Sequence, residues 1–241
     1  MKKPNPNGRI IYRGPSRLDG KPIVVVLTGL KPGKNENLKT GHMLQTHILV
    51  DTMNPHEAVA TGADISICGY CPHRGVDEHG LQVKKRTCYV KLWRAPAKVY
   101  ACLHTGSGYK TATTPQDRRA LGRGAKIRLG AYGDPGAVPT AVWRQLTEFA
   151  ESWTGYTHQW RRRPSLAALC MASADTVVEA KEAVAKGWRY FRVSETTDIR
   201  LGEVLCPASK EGGKKTVCAS CGLCNGTESK APKSIVIPQH A

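Results

Sequence analysis

Nine cysteines in 241 residues, eight of them gathered in two groups, constrain this chain more than any other feature. Thiols in such number become either a disulfide framework or a set of metal and redox ligands, and the redox compartment decides which. Met1-Lys2-Lys3-Pro4 is followed by polar residues and not by the apolar run of a secretory signal. The stretch Val24-Val25-Val26-Leu27 is far shorter than the ~20 residues of a membrane-spanning helix. A cytoplasmic chain without a membrane segment is expected, and there metal ligation outranks disulfides.

The tighter group is Cys218-x-x-Cys221-x-x-Cys224 with Cys206 upstream. Ala219, Ser220 and Gly222 are small enough to let three thiolates turn onto one centre. Cys206 precedes Pro207, as the remote ligand precedes a proline in bacterial ferredoxins, although there it lies downstream. A [4Fe–4S] cluster fits this run, and zinc also accepts four thiolates tetrahedrally. The second group is Cys68, Cys71, Cys88 and Cys102. Cys68-Gly69-Tyr70-Cys71-Pro72 reads as a knuckle, with His73 beside it and His104 beside Cys102 as alternative ligands, and the site suits zinc or an iron–sulfur cluster. Cys170 sits in an apolar stretch and reads as a buried structural thiol. Lys84, Lys85 and Arg86, like Lys210, Lys214 and Lys215, either offset thiolate charge or form solvated faces.

The remaining pattern is α/β. Residues 23–27, 47–50, 126–129, 153–158, 166–171, 190–193 and 234–237 read as strands, and residues 32–37 as a loop. Asn54-Pro55-His56-Glu57 and Thr176-Val177-Val178-Glu179 are helix starts with capping boxes. A helix opening near Pro139 places Val142, Leu146, Phe149 and Trp153 on one stripe. Strands alternating with helices predict a partial barrel or small, mostly parallel sheet flanked by two cysteine-rich metal-binding modules. The expected segments are 1–62 (strands and loops), 63–125 (first cysteine-rich module, loop-rich), 126–200 (α/β core) and 201–241 (second module), in one compact domain.

In parallel sheets ligands gather at the strand carboxyl ends. Asp134 and His158 there suit general acid–base chemistry, with Arg192 to hold a phosphate or carboxylate; singly, Asp134 also reads as a turn residue and Asp175 as a helix cap. The 36 Lys and Arg against 19 Asp and Glu give +17, which favours nucleic acid or another polyanion. Arg161, Arg162 and Arg163 beside Trp160 fit that partner, basic groups for phosphates and an aromatic ring for bases. No Walker P-loop, Gly-x-Ser-x-Gly elbow or His-Glu-x-x-His helix is present.

Four stretches carry a resemblance. They are Asn37-Leu38-Lys39-Thr40-Gly41 with Met43-Leu44-Gln45-Thr46; the Cys68 knuckle with Thr87-Cys88-Tyr89-Val90; Gly130-Ala131-Tyr132-Gly133-Asp134-Pro135 with Gly155-Tyr156-Thr157; and Cys206-Pro207 with the Cys218 run. In these the chain resembles the phage-encoded cysteine-rich proteins grouped around mycobacteriophage gene product eighty-eight. That resemblance implies a phage or prophage origin, hence the host cytoplasm, and a partial barrel similar to that of radical S-adenosylmethionine enzymes, although their Cys-x-x-x-Cys-x-x-Cys loop is absent. It attaches to Cys68, Cys71 and Cys88 and not to Cys102, and a three-cysteine site would leave an iron open to substrate. Three functions follow as expectations: a metal-stabilised nucleic-acid-binding protein, an iron–sulfur enzyme working at the strand ends, and a structural or host-protein-binding chain with structural zinc.

Overall fold

The β-branched runs become strands of a single sheet. The computed structural model describes residues 3–31, 39–76, 85–104, 106–196, 198–200, 202–228 and 233–238. The expected loop at 32–37, Asn37 and Leu38 of the first resemblance stretch, and Lys84 lie outside the described residues. The described residues form ten strands: β1 (Gly8–Pro15), β2 (Pro22–Thr28), β3 (Leu44–Val50), β4 (Lys110–Thr111), β5 (Lys126–Tyr132), β6 (Ser152–Thr157), β7 (Met171–Ala174), β8 (Tyr190–Ser194), β9 (Glu203–Leu205) and β10 (Ser234–Pro238). Their order across the sheet is β4-β1-β2-β3-β5-β6-β7-β8-β10-β9. β1, β2 and β3 form an antiparallel meander. From β3 onward every neighbour is parallel. Ile23, Val24, Val25, Val26 and Leu27 are all fully buried, so β2 is covered on both faces, which explains its unbroken apolar run.

The helices are α1 (Pro55–Ala60), α2 (Ile65–Cys68), α3 (Ala95–His104), α4 (Pro115–Gly122), α5 (Thr140–Thr147), α6 (Val177–Ala185) and α7 (Cys218–Cys221). Asn54 caps α1 by accepting from the His56 and Glu57 amides, and Thr176 caps α6 by accepting from that of Glu179. Among the described residues no helix is long and apolar enough to cross a membrane.

Three local expectations change. Residues 166–171 are not a strand: Pro164 opens a single 3-10 turn, and the Leu169 and Cys170 amides both close back on the Leu166 carbonyl at 2.8 Å, so β7 begins only at Met171. α5 stops at Thr147, leaving Phe149 42% exposed and Trp153 in β6, so the apolar stripe spans two elements. The 63–125 segment is also more regular than its composition suggests, since it holds α3 and α4, the latter under a Thr114–Asp117 capping box.

Parallel neighbours require long crossovers, and two of those here are the cysteine modules. The connection from β3 to β5 carries Cys68, Cys71, Cys88 and Cys102, and the one from β9 to β10 carries Cys206, Cys218, Cys221 and Cys224. On the β6–β10 half of the sheet, Met171, Ile235 and Ile237 pack with Cys206 and Cys224, with Tyr156, Phe191 and Val193 alongside. The second module thus covers apolar sheet surface where a crossover helix would otherwise lie.

Candidate metal centres

The C-terminal cysteines converge. Cys206 follows β9, and its amide donates to the Val236 carbonyl at 2.8 Å. Cys218 and Cys221 are the ends of the one-turn helix α7, whose first amides donate to the Lys39 and Thr40 carbonyls. Gly222 closes that turn at φ +63°, a left-handed position that favours glycine, and the chain then reaches Cys224. The Gly155 amide of β6 donates to the Cys224 carbonyl at 2.9 Å. Arg189 donates to the carbonyls of Leu223, Gly226 and Lys233 and so clamps the return of the loop. All four cysteines line one pocket, floored by Thr154 and Tyr156 of β6 and Ile235 of β10.

The pocket is closed enough to perturb its polar groups. The Thr154 hydroxyl is buried with no hydrogen-bond partner, a costly state. Burial pushes the Cys224 thiol up to about 12, and raises Cys206 and Cys218 as well. A bound cation reverses that preference, because a coordinated thiol ionises outright. Arg128 stands between Tyr89, Tyr156 and Cys218; burial disfavours its charge, but those three groups hold its guanidinium protonated. Among the described residues no three cysteine sulfurs lie within 4.8 Å of one another.

The first module sits over the carboxyl ends of β5, β6 and β7. Cys68 ends α2, and Gly69 follows at φ +55° with Gln159 filling the space a side chain would need. Buried Arg74 ties the knuckle together, donating to the Gly69 and Gly62 carbonyls and pairing with Asp64 at 2.6 Å. The Cys88 amide donates to the His73 carbonyl at 3.1 Å, which brings the third cysteine alongside. Burial pushes the Cys68 thiol well up, and Asp64, Cys71 and Cys88 around it add to that; burial likewise raises Cys88. The Tyr132 hydroxyl, at the end of β5, is buried near Cys68 and Cys88 and has no partner.

Beside these sulfurs lies an imidazole–carboxylate cluster. Asp175 sits 3.0 Å from His73 Nε2 and 3.2 Å from His158 Nε2, the second contact lacking the angle of a directed hydrogen bond. The two rings lie 5.6 Å apart, and the ligand atoms of His73, His158 and Asp175 all fall within 4.8 Å of one another. Burial alone would lower His158, but the Cys71 sulfur and Asp175 raise it well above the usual imidazole range. Burial alone would raise Asp175, and the two histidines instead hold it well below the usual carboxylate range.

Several expected site residues take other roles. Asp134 is not a free base: its carboxylate accepts from Thr157 Oγ1 at 2.6 Å, the Gly136 amide at 2.7 Å and the His158 amide at 2.8 Å. It braces the turn that carries His158, and the carboxylate facing the imidazole is that of Asp175. Arg192 is turned away into a buried pair with Glu203 at 2.7 Å. Cys102 does not join the other three; its sulfur accepts from Asn5 and lies beside Gly108 and Tyr109. His104 stacks on Tyr100 and lies 3.9 Å from Asp51. Trp160 is 1% exposed and donates to the Ser173 carbonyl, so it cannot stack on a base. Arg161 is engaged by Glu179 and Glu182, leaving Arg162 and Arg163 of the basic run.

Asp175 carried a signal that spacing alone understated: Thr176 already supplies the cap of α6, which leaves the Asp175 carboxylate free for another task. Thr154, Arg128 and Tyr132 gave no such signal, since each occupies an ordinary strand position and gains meaning only from the crossover above it. No protein-family model, curated protein or solved structure matches the chain.

Proposed function

We propose that the chain is an iron–sulfur protein with a closed four-thiolate centre at Cys206, Cys218, Cys221 and Cys224. A second centre at Cys68, Cys71 and Cys88 lies at the strand carboxyl ends, and it is there that the protein acts on its substrate. The observation that carries the first centre is the set of four cysteines around one pocket, no three of their sulfurs lying within 4.8 Å of one another. Tetrahedral zinc with bonds of about 2.3 Å holds its thiolates only about 3.8 Å apart, whereas a cubane separates them by four irons and four sulfides. The unpartnered Thr154 hydroxyl fits a donor to cluster or cysteine sulfur.

At the second centre three thiolates leave one position without a cysteine. His158, next to Cys71 and facing Asp175, is the group placed to fill that position or to move a proton beside it. The resemblance to phage-encoded cysteine-rich proteins is part of this proposal, because it attaches to the same seven cysteines. Zinc at the C-terminal site is the second reading, because four thiolates also satisfy its tetrahedral preference, and it requires the sulfurs to draw closer together than they stand here. The nucleic-acid reading now rests on net charge and the two remaining arginines, since Trp160 is in the core.

Separate removal of the centres tests the assignment. In anaerobically reconstituted protein, Cys221→Ser is expected to abolish the C-terminal cluster signal and leave the other, and Cys71→Ser to do the reverse. Two variants with unchanged iron and sulfide content would contradict the proposal. Binding of a labelled DNA or RNA that weakens steeply with salt would revive the nucleic-acid role.

A further inference from the structure

A pocket of about 390 Å³ has no cysteine in its lining, and its charged lining is all of one sign. Arg17 reaches it from the turn between β1 and β2, and Arg162 and Arg163 from the turn after β6; no acidic side chain lines it. The Nε of Arg163 is buried and has no hydrogen-bond partner. Burial and the nearby Arg17 both depress the Arg163 guanidinium, as expected for like charges gathered without a counter-ion. Arg17 and Arg162 are exposed and Arg163 is half-buried, so an anion entering the pocket meets three guanidiniums, one of which keeps a buried donor unpaired.

The uncharged part of the lining points the same way. Thr140 and Ala141, the first residues of α5, border the pocket. The residue before them is Pro139, which offers no side-chain acceptor, so no side chain caps the helix. The hydroxyls of Thr140 and Ser165 lie 2.8 Å apart and both belong to the site.

We infer that this pocket binds the terminal phosphate of a small phosphate monoester, with Arg17, Arg162 and Arg163 as its cations and the α5 N-terminus as its neutral donor. Planar guanidinium groups match phosphate oxygens two at a time, and three of them suit a dianion better than the single charge of a backbone diester. The volume exceeds that of phosphate alone and leaves room for an attached sugar-sized group. Arg162 also lies 4.7 Å over the ring of Tyr70, the residue between Cys68 and Cys71, so the pocket borders the knuckle of the first cysteine module. The inference does not depend on which metal either cysteine site holds.

Calorimetric titration of the full metal-loaded chain, in a buffer free of phosphate and sulfate, tests it with ribose 5-phosphate, inorganic phosphate and a short oligonucleotide bearing or lacking a 5′-phosphate. Saturable binding of ribose 5-phosphate, displaced by inorganic phosphate, is expected. Arg17→Gln removes an exposed side chain and should leave the fold intact, so it and Arg163→Gln should each weaken binding about tenfold or more. Arg123→Gln, which stacks on Phe149 elsewhere, should leave binding unchanged. Equal affinity in Arg17→Gln and wild type would overturn the site. Oligonucleotide binding that ignores the 5′-phosphate and outcompetes ribose 5-phosphate would overturn the monoester assignment in favour of a backbone diester.

Discussion

Removing one partner of the Arg192–Glu203 pair separates a structural arginine from a catalytic one. The side chains of Arg192 and Glu203 are 5% and 0% exposed, and the guanidinium makes two bonds to the carboxylate, at 2.7 and 2.8 Å. Glu203 also accepts from the Tyr190 hydroxyl and the Arg200 amide, both at 2.9 Å. Arg192→Met therefore strands a buried carboxylate on an edge strand that ends one residue before Cys206. Such a break costs about 3–5 kcal/mol, whereas replacing both partners with apolar residues of similar size is often neutral. At about 2–4 °C per kcal/mol for a chain of this size, the single variant should melt roughly 6–20 °C lower and lose its C-terminal metal first. Arg192→Met/Glu203→Leu should recover most of both. The assay is a guanidinium midpoint and a thermal scan on metal-loaded protein, with metal content read in parallel. A single variant within about 1 kcal/mol of wild type that nevertheless loses substrate turnover would refute this reasoning and return Arg192 to the active site.

Cys102→Ser should leave metal content unchanged, while Cys88→Ser lowers it; equal losses from both would place Cys102 back among the ligands. Trp160→Ala should destabilise by about 3–5 kcal/mol through loss of core packing, while Trp160→Phe leaves any nucleic-acid binding as it was, measured by gel shift at two salt concentrations. His47 gives the pH dependence. Burial, with Arg128 adding to it, lowers its pKa from 6.5 to about 4. The unfolded chain therefore binds the extra proton between those values. The stability from His47 is full above about 6.5 and falls by about 3 kcal/mol as the pH drops to 4. A His47→Gln variant should flatten that acid limb in denaturation midpoints taken across the range; an unchanged slope would reject the assignment.

Strands such as β2 and β3, and the capped starts of α1 and α6, were legible because β-branched runs and capping side chains act locally. β1, with polar and glycine residues among its apolar ones, was not, since its place comes from pairing with β2. The cysteine groups were legible as groups; that each is a crossover between parallel strands depends on the sheet order. The strand carboxyl ends were legible as a polar mouth, but which of its carboxylates faces an imidazole was not. Asp134 and Asp175 both follow strands, and only the fold shows that one is consumed by three hydrogen bonds while the other faces two imidazoles. Trp160 next to three arginines read as a surface patch because sequence adjacency hides that neighbouring side chains can point in opposite directions.

The central claim meets its most direct test in wild-type protein and the Cys221→Ser variant, each purified without oxygen and assayed for iron, zinc and acid-labile sulfide alongside its visible absorption. Iron and sulfide in equal amounts, with a broad band in the visible range that Cys221→Ser diminishes, is the expected result. A colourless protein holding only zinc, which does not take up iron and sulfide on reconstitution, would contradict the account and leave both cysteine modules as structural staples of the sheet.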